Sequence, residues 1–304
     1  MYQHELEKKD FIIKLTLAGC EEECWRRFRV PATISLAALH DQVLVPVMGW
    51  ARGYHGYVFA EPKNGSIFGP KNNDGYIDMM HVGMHFHDIM DDVKVPLGTI
   101  LRHEGDTCQY TYDLGDQYEH ILCVEAIVDS VSNSDSDSDS GSGGVAVVEL
   151  LGGYGACPPE DSNGLEEKGC RGYRDFLDTY KKNPRSSQMK TALAEASGSV
   201  NYRNNWLTGQ SMRFTPENFD LPLHRAMLEA MLSGPRIKKP SRFTAGTNPL
   251  NDFEEDFSCC AHCSNSVKAL SKCSACRKVV YCGPECQKLA WKEHKVLCKL
   301  LKKK

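Results

Sequence analysis

The sequence predicts an α+β domain over residues 1–232, a linker over 233–257 and a small cysteine-rich module over 259–304. Three observations predict it. The first part mixes segments of alternating apolar residues with segments whose apolar residues recur at helical spacing. Eight of the 14 cysteines lie between Cys259 and Cys298. Charge divides in the same place. From Phe257 onward ten Lys and one Arg face two Glu, a net of +9, and since the whole chain is -4 the first 256 residues hold -13.

The strands come first. In DFIIKLTLAG the apolar residues alternate, and CWRRFRVP follows after a turn around Gly19 and Glu21–Glu23, so residues 10–30 read as a strand pair. Leu36, Leu39, Val43, Leu44 and Val47 then recur at helical spacing, with Ser35 placed to cap the helix and Gly49 to end it. YVFA and SIFG are strand candidates, and residues 107–113 and 120–128 read as a pair around LGDQYE. Helices are expected around 171–182 and 221–232. Residues 132–144, SNSDSDSDSGSGG, cannot bury a core and read as a disordered acidic insertion. Residues 233–257 are polar with three prolines, which suits a linker.

No stretch approaches the roughly 18 apolar residues needed to span a bilayer. The opening MYQHELEKKDFIIKLTL has no apolar signal core, so a cytoplasmic or nuclear home, without membrane attachment, is expected. In such a compartment closely spaced cysteine pairs read as metal ligands rather than disulfides. Their order is Cys260-x2-Cys263, nine residues, Cys273-x2-Cys276, five residues, Cys282-x3-Cys286, seven residues, His294-x3-Cys298. Zinc takes four such soft ligands, so eight ligands make two closed tetrahedral sites, structural rather than catalytic. A segment this short has little core of its own. Bound zinc must therefore supply much of its folding free energy, on the order of 10 kcal/mol or more per site. Pro284 after Gly283 suits a helix start, and Cys286, Ala290, His294 and Cys298 then share one side of that helix.

The run YCGPECQKLAWKEHKVLC, Tyr281 to Cys298, resembles the MYND finger signature, and all eight ligand positions of that family are filled. The resemblance implies interleaved sites: Cys260, Cys263, Cys282 and Cys286 on one zinc ion, and Cys273, Cys276, His294 and Cys298 on the other. It also implies a protein partner, bound through a short proline-containing peptide. Gln287 and Trp291 lie four apart, so a helix presents them on one face as part of a peptide groove. In a plainer reading Trp291 packs inside the finger and Gln287 is solvated. The Lys-rich helix leaves nucleic acid as a less favoured partner.

The large domain lacks a P-loop, a G-x-S-x-G, an HExxH and a dinucleotide-binding glycine pattern. The Asn-His-Ser-Cys-type motif of SET methyltransferases is also absent. CWRRFRVPATISLAALH, Gly49-Trp50, YHGYVF, YTYDLGDQYEH and CPPED together resemble the plasmid pRiA4b open-reading-frame-three-like family, with Leu114 and Tyr118 standing where Phe and Trp are usual. The resemblance implies an α+β fold and no established activity. Because CPPED follows the Ser/Asp tract, that tract interrupts one domain instead of separating two.

The function expected is therefore a zinc-binding adaptor. The alternative is a metal-dependent hydrolase or nuclease in the large domain, with the finger for targeting. Asp113, Asp116, His120, Glu160 and Asp161, with His55, would have to converge for that. Otherwise Asp113 and Asp116 simply bond to the amides of a turn made by Gly115, and His120 is a satisfied partner. His81, His85 and His87 form a further metal-like cluster, more simply read as structural.

Overall fold

The computed structural model describes residues 8–70, 89–130, 147–233, 260, 270–275, 277 and 280–301, the last helix with side chains at 284–291, 295 and 298. The Ser/Asp tract, the linker from 234 to 257 and His81, His85 and His87 lie outside the described residues.

Eight strands form one sheet: β1 (Lys9–Leu17), β2 (Trp25–Pro31), β3 (Tyr57–Ala60), β4 (Ile67–Gly69), β5 (Met90–Asp91), β6 (Thr107–Tyr112), β7 (Tyr118–Asp129) and β8 (Glu149–Tyr154). Their order is β5-β4-β3-β6-β7-β1-β2-β8. The β4–β5 pair is parallel and the others are antiparallel, so the sheet is mixed. The alternation in FIIKLTL sends Phe11, Ile13, Leu15 and Leu17 to one face, each fully buried. Burial of that set fixes the register, because a one-residue slip would expose all four.

Helices cover that core. A helical segment, α1, comprises Leu36–Ala38, a π-helical stretch Leu39–Leu44 and Val45–Met48. The Ser35 side chain accepts from the Ala38 amide, and Gly49 ends the segment at φ +97°. Leu36, Leu39, Val43, Leu44 and Val47 are all buried. The short α2 (Leu97–Ile100) precedes β6. After β8 come α3 (Gly169–Lys182), α4 (Ser187–Ser197), α5 (Val200–Arg203) and α6 (Leu221–Ser233). Tyr173, Phe176 and Leu177 of α3 join the same core as Leu228 and Met231 of α6.

Arg26 is fully buried in this core. Its Nε donates to the Val47 carbonyl at the end of α1, and Nη1 donates to the carbonyls of Trp25 and Tyr154. The guanidinium lies 4.1 Å from the centre of the Phe219 ring. One side chain thus ties β2, β8 and the end of α1 together. Gly153 in β8 makes room for this arrangement, since a Cβ there would stand 2.6 Å from Phe219 Cε1.

The finger is small. Strands β9 (Ser271–Lys272) and β10 (Val280–Tyr281) pair antiparallel, and α7 (Pro284–Leu301) follows with Pro284 as its first residue. Its described core is Cys260, Cys273, Tyr281, Ala290 and Cys298.

Candidate functional site

In the finger, the turn before α7 carries Cys282 and the first turn of α7 carries Cys286, with their sulfurs 3.4 Å apart. The Sγ atoms of Cys260, Cys282 and Cys286 all lie within 4.8 Å of one another. Cys273 Sγ lies 3.8 Å from Cys298 Sγ, three turns further along α7 than Cys286. Two groups of sulfurs therefore converge from distant parts of the segment, one at each end of the helix. Such convergence suits a thiophilic ion, which replaces the thiol protons and holds the thiolates together. Cys263, Cys276 and the His294 side chain lie outside the described residues. Gln287 is half-buried, and Trp291, one turn on, is 42% exposed.

The second site is in the large domain. His55 sits on the loop between α1 and β3, Asp113 ends β6, and Glu160 and Asp161 lie in the CPPED segment after β8. His55 Nε2 is 3.1 Å from Asp161 Oδ1, 3.3 Å from Asp113 Oδ2 and 3.7 Å from Glu160 Oε2. The second oxygen of each carboxylate is used by the fold. Asp113 Oδ1 accepts from the amides of Gly115 and Asp116, which holds Asp113 at φ +56° in a tight turn. Glu160 Oε1 accepts from the Ala51 amide and the Tyr112 hydroxyl. Asp161 Oδ2 accepts from the Tyr54 hydroxyl, and the residue stands at φ +58°.

Electrostatics follow from this packing. Burial pushes the fully buried Glu160 carboxyl up to about 8, against the pull of His55, the Ala51 amide and the Tyr112 hydroxyl. Burial also raises Asp113, although His55 opposes it. The hydrogen bond from His55 lowers Asp161. Burial alone would lower His55, but the Asp161 hydrogen bond and the fields of Glu160 and Asp113 outweigh it, and the net shift is upward.

Two members of the expected polar set stand apart from this cluster. Asp116 turns toward α3, where Oδ2 accepts from Ser162 and Oδ1 accepts from Lys168. His120 is buried beneath the sheet, edge-on to Trp50 and tilted against Tyr110, and burial lowers it to about 4. Its period-2 position in β7 points it at the core, which the sequence pattern alone could have shown. His55 is a full member of the cluster, and the signal for it was its place in YHGYVF directly before β3.

Residues 9–222 match the family of plasmid pRiA4b ORF-3-like proteins. The chain belongs to that family. All four clustered residues of the large domain fall inside the pRiA4b ORF-3-like match. The chain is 30% identical over 169 residues to the uncharacterised protein y4hQ of Sinorhizobium fredii, which covers 55% of this chain and 70% of that protein. A crystal structure of MM3350, a protein of unknown function from Methanosarcina mazei, is similar at 23% identity with a TM-score of 0.47, over 71% of this chain and 96% of that one.

Residues 260–298 match the MYND finger, a zinc-binding protein-interaction module. Over 43 residues the chain is 54% identical to SET domain-containing protein 14 of Caenorhabditis elegans. It is 46% identical over 43 residues to histone-lysine N-methyltransferase SMYD3 of Homo sapiens. The chain spans about a tenth of the length of these two relatives, each match covering 10% of the relative and 14% of this chain. Among the described residues no helix is long and apolar enough to cross a membrane.

Proposed function

We propose that the chain is an adaptor whose MYND finger holds two structural zinc ions and docks a protein partner through a short proline-containing segment. One ion takes Cys260, Cys263, Cys282 and Cys286; the other takes Cys273, Cys276, His294 and Cys298. The two separate groups of converging sulfurs support this pairing. The exposure of Trp291 carries the docking assignment. An indole 42% exposed, one turn from Gln287 on a helix anchored by Cys286, offers a flat face for a proline ring.

Elemental analysis of the purified chain is expected to find two zinc ions, and fewer in Cys282→Ser. A proline-containing peptide selected on the finger should lose at least about tenfold in affinity with Trp291→Ala while the zinc content stays constant. That separates lost docking from lost folding. Affinity that falls steeply with salt, on a peptide or an oligonucleotide, would instead favour the basic face and a nucleic-acid partner.

A second reading, metal-dependent hydrolysis in the large domain, is favoured by one observation: His55, Asp113, Glu160 and Asp161 share a cluster with one open side. Turnover of an activated phosphodiester with added manganese, lost in Asp113→Asn, would support it.

A further inference from the structure

We propose that His55, Asp113 and Asp161 of the large domain bind one divalent first-row metal ion, with the buried Glu160 carboxyl beside it. The ligand atoms are His55 Nε2, Asp113 Oδ2 and Asp161 Oδ1. The imidazole Nε2 carries at most one hydrogen, yet three carboxylate oxygens face it at 3.1, 3.3 and 3.7 Å. Glu160 is 0% exposed, and its Oε2 has no hydrogen-bond partner. With or without a proton, that buried atom is unsatisfied, at a cost on the order of 1–3 kcal/mol. A cation held by His55, Asp113 and Asp161 would give all of these oxygens a positive charge to face.

Spacing agrees with that. Ligands about 2.0–2.1 Å from a tetrahedral ion stand about 3.3 Å from one another. The two aspartate oxygens stand 3.1 and 3.3 Å from His55 Nε2, close to this value. The His55, Asp113 and Asp161 ligand atoms all lie within 4.8 Å of one another, and Glu160 Oε2, outside that group, faces His55 Nε2 at 3.7 Å. The outer shell is built as metal sites require. Each carboxylate is aimed by a bond to its other oxygen: the Gly115 and Asp116 amides for Asp113, the Ala51 amide and Tyr112 hydroxyl for Glu160, the Tyr54 hydroxyl for Asp161. A cluster of surface acids has no such support.

The donor set names the class of ion. One imidazole and two carboxylates, without sulfur, suit manganese, ferrous iron or zinc rather than the soft ions preferred by thiolates. The site also opens on one side, since the Asp161 side chain is 44% exposed and that of His55 23%. Solvent can therefore complete the coordination shell. This inference draws on the second reading above only for its chemistry. A chain that binds the ion and hydrolyses nothing would sink that reading and leave the site standing.

The test uses the full chain with its finger intact. Protein is incubated with manganese and, separately, with zinc, freed of loose metal by gel filtration, and its metal counted. Wild type is expected to keep one ion more per chain than Asp113→Asn or Asp161→Asn, with the finger's zinc unchanged in all. Manganese discriminates well, because hard ions do not displace zinc from thiolates. The melting temperature of wild type should rise with added manganese and that of the variants should not. Asp161→Asn, at the exposed edge, guards against a variant that fails to fold. Equal metal content in wild type and a folded Asp161→Asn, with either ion and no differential melting shift, would overturn the proposal.

Discussion

The large domain buries a continuous apolar core running from Phe11 and Phe28 on the sheet through Trp50 to Tyr173 and Leu228 on the helices. The described core of the finger is three cysteines, Tyr281 and Ala290. Cysteine itself shows the difference. Burial raises Cys20 and Cys108 of the large domain to about 12, so they remain protonated and behave as small apolar side chains. The finger's cysteines lie sulfur to sulfur, where only a shared metal makes thiolates tolerable. One region orders its chain by excluding water, the other by coordination. A protein can therefore lose one without losing the other.

The strongest way to break that comparison is to remove the metal. A chelator, or Cys282→Ser, should unfold the finger completely, a loss on the order of 10 kcal/mol for that module. Hydrogen exchange should become fast in α7 while β1 and β7 stay protected. Rapid exchange throughout the sheet would mean that the two regions fold as one. The converse is Trp50→Ala. Trp50 is fully buried and stacks 4.4 Å from Tyr112, so its truncation should cost about 3–5 kcal/mol in the large domain. The denaturant midpoint of the sheet should fall, and zinc content should not.

Acid should strike both regions by different routes. The finger loses zinc as its thiolates take up protons. In the large domain burial lowers His40 to about 3 and His120 to about 4. Above pH 6.5 these residues are neutral whether folded or not, and their contribution is complete. As pH falls below that value the unfolded chain gains protons that the folded chain refuses until pH 3–4, so stability declines through that window. Glu160, raised to about 8, and His55, also raised, act with the opposite sign over the same range, so the histidine share is read against His120→Phe. Between pH 7 and 5 the denaturant midpoint, followed by exchange in β1, should fall more in wild type than in His120→Phe; equal changes would mean that His120 does not resist protonation in the fold. The smallest expected effect is Ser186→Ala. Ser186 accepts from the Met189 amide at the start of α4, and its loss should cost about 1 kcal/mol in the large domain alone.

The elements with strong apolar periodicity were legible. FIIKLTL, the Leu36–Val47 pattern, YVFA and the two segments flanking LGDQYE all form the elements that their spacing implies. Residues with weak periodicity were not. β8, with sequence ELLGGY, hides behind two glycines, of which Gly153 is required by the Phe219 ring packed against it. α4 buries only Met189 and Ala196, so its polar sequence carries no apolar stripe. The finger itself was legible because its cysteines recur at fixed intervals, and residues 260–298 match the MYND finger. The cluster in the large domain was half legible. Asp113, Glu160 and Asp161 stood in conspicuous motifs, but only the fold brings β6, the CPPED segment and the loop before β3 together. Asp116 and His120 share the DLGDQYEH motif with Asp113 and face elsewhere, Asp116 because Lys168 and Ser162 claim it and His120 because strand alternation turns it inward.

Arg26 has one further consequence. Among the described residues its hydrogen-bond acceptors are main-chain carbonyls, two on the closing turn of α1 and one each on β2 and the edge strand β8, and none is a carboxylate. Carbonyl oxygens take up no proton at any pH a protein meets. The negative end of a helix dipole and the peptide groups beside it thus act as a counter-ion that cannot be titrated. As the sheet weakens in acid, the junction at Arg26 should be among the last contacts to let go.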